Sequence, residues 1–377
     1  MRALWLFVVL VCGLVGLPKA TGQDGVAATP ASAKWIEREY MVPAPASPDG
    51  IEVLKVEVDR PGKHPLALIT HASPSEAVAR GQMTAWSFMP QAIWFARRGF
   101  VVLVVIRKGY GRSTGVEDGS HSGCQRAWGG SFTQVGEKDA ADLRAAIEWA
   151  GTQPEIDTGT VISTGISTGG YAQVALTMNA PPGLKAAINF AGGRGEEGAM
   201  HNCNERSIVA SFNEMGRKST VPMLWIYAEN DRSFWPDLAH EFDAAFRDGG
   251  GKDELVIAPP YSNDGHRLFY DVNGWSSYVD LYLKEKGLLP VSDLLPEPAT
   301  AEVPVPPGLS ARGQTAFHNF LIYGPYKAFA TNGQTAFGSA NAGYTQEDAD
   351  AEALAGCQRN AKGVGVCAIV SQGVPRK

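Results

Sequence analysis

Residues 160–175 read TVISTGISTGGYAQVA, and the reading of this stretch decides the fold. The β-branched run from Thr160 to Ile166 predicts a buried strand, and a helix-compatible segment follows from Tyr171. Between them lies Gly165-Ile166-Ser167-Thr168-Gly169, a G-x-S-x-G pattern set as strand, tight turn and helix. The flanking glycines suit a strained turn, because a Cβ on either neighbour would collide there. Such a turn presents the Ser167 hydroxyl at the carboxyl edge of a sheet, where a carbonyl compound can reach it.

Working outward, strands are expected at Ile51–Val58, Pro65–Thr70, Phe100–Ile106, Ala186–Phe190, Met223–Ala228 and Glu254–Ala258. Helical spacing of apolar residues predicts helices over Met83–Arg98, Glu137–Ala150, Pro236–Arg247 and Gly274–Lys286. The run FVVLVVI at 100–106 has no polar face, as a parallel strand covered on both sides requires. Strands alternating with helices imply an α/β architecture, a mostly parallel sheet flanked by helices. Ligands bind such sheets at the carboxyl ends of the strands.

A serine hydroxyl is a poor nucleophile at neutral pH and needs an adjacent base, itself oriented by an acid. On this sheet type the chain order is Ser, acid, His. Asp231, just past the strand ending at Ala228, is the expected acid, with Glu229 as its rival. His266, in the polar loop SNDGH at 262–266, is the expected base. His240 falls in a predicted helix, His121 and His201 precede the acid, and His64 and His318 lie outside the pattern. An oxyanion hole is expected from the backbone N–H of Thr168 and one from the loop at 70–74, with Ser73 preferred and Ala72 next. His71 reads as a structural residue of that turn. Tyr110, Trp128 and Trp235 are expected to line the substrate pocket.

The stretches ITHASP (69–74), VVIRKGYGRSTG (104–115), GISTGG (165–170), WIYAENDRSFWP (225–236) and NDGH (263–266) carry a family resemblance. From about residue 50 to 287 the chain resembles the α/β-hydrolase superfamily, especially dienelactone-hydrolase-like and prolyl-oligopeptidase-like enzymes. Ala72 departs from it, since many relatives have glycine after the histidine. The resemblance implies the α/β-hydrolase fold and cofactor-independent hydrolysis of an ester, thioester or amide through an acyl-enzyme on Ser167.

The 377 residues are 44% hydrophobic and 19% charged, enough apolar material for a large core. A net charge of -6 leaves no basic footprint for nucleic acid. Residues 1–22 read as a secretory signal peptide: Met1-Arg2, an apolar run from Ala3 to Leu17, then small residues. That run is shorter than the roughly 20 residues of a spanning helix, so no stable membrane insertion is expected once the leader is removed. Export to the periplasm or beyond favours disulfides among Cys124, Cys203, Cys357 and Cys367. Of three connectivities, Cys124–Cys203 and Cys357–Cys367 is preferred. No cysteine–histidine spacing suggests a metal site, and no cofactor is expected.

Three parts follow the leader: a catalytic domain over 34–288, a Pro-rich linker over 289–308, and a small α+β module over 309–377 closed by Cys357 and Cys367. In the module a capping box at Thr345–Asp348 opens a helix to about Arg359, and a strand is expected at Val364–Val370. It resembles small cysteine-containing modules of secreted bacterial proteins, which implies contact with the cell envelope. The expected function is hydrolysis of a small carboxylic ester by an exported serine hydrolase. A peptidase of short peptides and a non-enzymatic binding protein on the same scaffold are the competing readings.

Overall fold

A strand in which every residue is apolar is stable only when both of its faces are covered. The computed structural model shows how the chain achieves this. It describes residues 33–74, 76–117, 131–202, 204–300 and 302–373. The expected leader, Trp128, Cys124 and Cys203, and with them the Cys124–Cys203 pairing, lie outside the described residues.

The catalytic part runs β1 (Trp35–Ala44), β2 (Ser47–Val58), β3 (His64–Thr70), α1 (Ala77–Gly81), α2 (Met89–Arg97), β4 (Val101–Val105), α3 (Phe132–Ala150), β5 (Ile156–Ile166), α4 (Thr168–Leu176), β6 (Leu184–Phe190), α5 (Glu205–Gly216), β7 (Met223–Ala228), α6 (Pro236–Asp248), β8 (Asp253–Ala258) and α7 (Val272–Glu285). Its eight strands form one sheet in the order β1-β2-β4-β3-β5-β6-β7-β8. β2 pairs antiparallel with both β1 and β4, and the remaining pairs are parallel. This is the α/β-hydrolase fold that the resemblance implied.

Alternation along the strands divides the core. Leu66, Leu68, Val101, Leu103 and Val105 pack with α3, α4, α5 and α6 on one face. Ala67, Ile69, Val102 and Val104 pack with α2 and α7 on the other. Among the described residues, no helix is long and apolar enough to cross a membrane.

The differences from expectation have local causes. β1 was not expected, because its sequence WIEREYMVPA mixes charges into a half-exposed edge strand. α5 was not expected either; it buries Ile208, Phe212 and Met215 at helical spacing among polar residues. α3 starts at Phe132 because Ser131 and Gln134 cap it reciprocally. α4 starts at Thr168, ahead of the two glycines. At Gly170 a Cβ would lie 2.5 Å from Asn189 Oδ1, so glycine is there for clearance, not to end a helix.

The Pro-rich stretch lies along the end of α2. Leu295 N–H donates to the Arg97 carbonyl at 2.7 Å, and Arg97 Nε returns a bond to the Leu295 carbonyl at 2.9 Å. Beyond it come α8 (Ala311–Leu321), β9 (Ala328–Thr331), β10 (Phe337–Ala340), α9 (Gln346–Ala361) and β11 (Ala368–Gln372), with the strands in the order β10-β9-β11. Thr345 caps α9, accepting the Asp348 N–H at 3.1 Å. Cys357 and Cys367 are bonded. The last strand begins at Ala368, later than Val364, because Lys362, Gly363 and Gly365 all take positive φ in the turn that ends α9.

Candidate active site

The carboxyl end of β5 turns into α4 at a residue that glycine would normally occupy. Ser167 has φ 56° and ψ −122°, a conformation costing about 1–3 kcal/mol and kept only where its surroundings enforce it. Its N–H bonds the Phe190 carbonyl at 2.9 Å, and its carbonyl accepts the Tyr171 N–H at 2.8 Å. A Cβ at Gly165 would sit 2.6 Å from the Gly169 carbonyl oxygen, and one at Gly169 would sit 2.4 Å from that of His71. Both flanking glycines are therefore required by close backbone approach.

Two further loops meet at the same sheet edge. Asp231, 1% exposed, follows β7. Its Oδ1 accepts the N–H groups of Ser233 and Phe234, each at 2.8 Å. His266 Nδ1 lies 3.2 Å from both carboxylate oxygens, so Nδ1 carries the proton and Nε2 is left to accept one. Asn230 ties the two loops together. Its side chain accepts the Tyr261 N–H at 2.8 Å and donates to the Tyr261 and Ser262 carbonyls. Its carbonyl accepts the Gly265 N–H at 3.0 Å. Asp264 serves the backbone, accepting the N–H groups of His266 and Arg232. Glu229, the rival acid, is exposed and lies outside the cavity lining.

Ser167, Thr168, Ser73, Ala72 and His266 line one cavity of about 860 Å³. Asp231 stands behind His266. Tyr110 is not in the wall: it is buried behind Ser73, its hydroxyl 2.6 Å from Ser73 Oγ. Trp235 packs against the core, and its neighbour Phe234 lines the cavity in its place. His71 is structural. Its Nε2 accepts the Arg107 N–H at 2.9 Å and its Nδ1 donates to the Ala72 carbonyl at 2.7 Å. Burial and the nearby Arg107 charge push its pKa well below the ordinary value.

Arg107, quoted within the stretch at 104–115, was given no role by the sequence reading. It is 1% exposed. Its Nη1 donates to the His71 carbonyl at 2.8 Å and its Nη2 to Thr168 Oγ1 at 3.0 Å. It thus joins the loop after β3 to the residue after the turn serine. Thr168 Oγ1 also lies 2.8 Å from Ser73 Oγ. Asp139 on α3 neutralises Arg107 Nε at 3.7 Å and bonds Arg194, which lines the cavity. The available signal was a cation directly after an all-apolar strand, since such a side chain is buried only with partners.

Burial disfavours the charged form of His266, but the hydrogen bond and charge of Asp231 outweigh it, with Glu196 and Asp264 adding to the effect; the pKa is raised. A base must be neutral to take a proton, so activity is expected to fall as pH drops through this raised pKa. Glu196→Gln removes one negative charge from the cavity wall and should move the acid limb of kcat/KM to lower pH. A pH–rate profile checks this; an unmoved limb means the imidazole does not feel Glu196.

The sheet order, the strained serine turn and a family-model match together define the class: the chain is a serine hydrolase of the α/β-hydrolase superfamily. The match is to the X-Pro dipeptidyl-peptidase (S15) family and spans residues 49–211. No curated protein matches the sequence. Among solved structures, a protein assigned as a dienelactone hydrolase from Klebsiella pneumoniae is 16% identical, over 67% of this chain and 99% of its own, with a TM-score of 0.47. A puromycin-hydrolyzing peptidase from Mycobacterium tuberculosis is 16% identical, over 71% of this chain and 43% of its own, with a TM-score of 0.48. An esterase from Pyrococcus furiosus is 12% identical, over 67% of this chain and 91% of its own, with a TM-score of 0.45. The chain thus spans less than half of the Mycobacterium peptidase.

Proposed function

We propose that the protein is an exported carboxylic ester hydrolase working through Ser167, His266 and Asp231. The observation that carries this reading is His266 on the wall of the cavity that also holds Ser167, with Asp231 behind it at 3.2 Å from Nδ1. Ser167 Oγ attacks the ester carbonyl while His266 Nε2 takes its proton, and the new imidazolium is stabilised by Asp231. The backbone N–H groups of Thr168 and Ser73 receive the oxyanion. Collapse expels the alcohol, which takes the proton from His266 and leaves an acyl-enzyme. Water then attacks, again with His266 as base, and releases the acid. Export rests on the leader-like residues 1–22.

The S15 family-model match favours a second reading, a peptidase of short peptides. A panel of p-nitrophenyl acyl esters run beside aminoacyl-naphthylamides separates the two. Faster turnover of the esters is expected; faster turnover of the amides overturns the ester assignment. Labelling with a fluorophosphonate tests the nucleophile, and a folded protein without an adduct on Ser167 refutes both readings.

A further inference from the structure

The C-terminal module touches the catalytic cavity's wall at the stretch Met83–Trp86. Tyr344, in the turn before α9, brings its hydroxyl to Glu52 Oε2 at 2.7 Å and to the Met83 carbonyl, its one proton shared between them. The same oxygen accepts the Arg112 N–H at 3.1 Å, and the Arg112 guanidinium lies 4.9 Å over the ring. Glu52 is fully buried, and its other oxygen accepts the Ala85 N–H at 3.0 Å. One carboxylate therefore grips the 83–86 turn directly and the module through Tyr344. Thr84 Oγ1 adds a bond to the Ala342 carbonyl at 3.1 Å. At Gly324 a Cβ would lie 2.8 Å from the Trp86 ring, so glycine lets the module's chain lie flat on that indole.

Met83 lines the catalytic cavity, where it joins Ile166, Phe234 and Tyr270 as the apolar part of the wall. Tyr270 lies in the same wall. It also borders a neighbouring cavity of about 430 Å³, which Asn319, Ile322 and Tyr323 of the module help to line.

We propose that the C-terminal module is a wall of the substrate site, and that Tyr344 is the positioning residue that sets Met83 against the apolar part of the substrate. The proposal rests on Ser167 being the nucleophile of this cavity. A short acyl group attached to Ser167 has little surface to place against a distant apolar wall. A long one must pack there, and in a hydrophobic pocket one methylene of fit changes rates by tenfold or more.

The test is the rate at which Ser167 is labelled by fluorophosphonates bearing ethyl or octyl chains, which reads cavity acceptance without assuming ester or peptide turnover. Tyr344→Phe keeps the ring and its stacking on Arg112 but removes the shared proton. The octyl-to-ethyl rate ratio is expected to fall roughly tenfold. Met83→Ala should change the same ratio, and the double variant should not be additive, because both act on one wall. A lowered melting temperature with an unaltered ratio means that Tyr344 only stabilises the fold, and overturns the proposal. Additive effects of the two substitutions overturn it as well. If Tyr344→Phe fails to fold, Thr84→Val cuts the neighbouring tie and is judged by the same ratio. Absence of any Ser167 adduct in wild-type protein sinks the hydrolase reading and takes this proposal with it; a labelled wild type with an unaltered ratio in the variants sinks this proposal alone.

Discussion

Ser167→Ala and His266→Ala should each reduce kcat by roughly 10⁴–10⁶-fold while the protein stays folded. In the proposed mechanism the serine supplies the atom that attacks the ester, and without the imidazole its proton has no acceptor. The double variant should be no slower than the slower single one, because the two groups act as a unit. Steady-state rates on the best ester, with thermal melts as a folding control, measure this. Multiplying losses in the double variant would mean that the two side chains act independently. Asp231 is a less clean target. Its Oδ1 also accepts two backbone N–H groups, so removing it disturbs the loop that carries it as well as His266.

Asp139→Ala should destabilise the fold by about 3–5 kcal/mol, since it strips a buried pair of its counter-ion. Asp139 is 6% exposed and sits between Arg107 and Arg194, both buried. Its loss strands two guanidinium groups in the core. The urea midpoint should drop with the slope little altered. Glu254→Gln is the control: its pair with Lys286 is exposed, and such pairs are worth about 0–1 kcal/mol. Activity should suffer too, because Arg107 fastens Thr168 to the His71 carbonyl. An unchanged midpoint in Asp139→Ala would show that water or another group takes the carboxylate's place.

The elements that the sequence made legible share a property: their signals are local. The all-apolar strands, the serine between two glycines, and an acid and a histidine each placed just past a strand can be read from a few neighbours. What stayed hidden is long-range or two-faced. Arg107 meets residues 70, 71, 139 and 168, spread over a hundred positions, and no periodicity announces that. β1 alternates poorly because the consecutive charges Glu37, Arg38 and Glu39 interrupt it. The sequence reading placed Trp235 in the pocket beside Asp231. Asp231 Oδ1 accepts the Ser233 and Phe234 N–H groups, and it is Phe234 that lines the cavity. Tyr344 lies some 290 residues from Glu52, which it touches, and nothing around it in the chain marks it as part of a distant wall.

The Pro-rich stretch bears on protein engineering. Its paired bonds between Leu295 and Arg97, and the Arg97–Glu297 ion pair, hold it to the end of α2. The module is therefore not portable cargo. A chimera that grafts residues 309–377 onto another hydrolase would have to bring the 289–308 stretch and the Arg97 end of α2 with it.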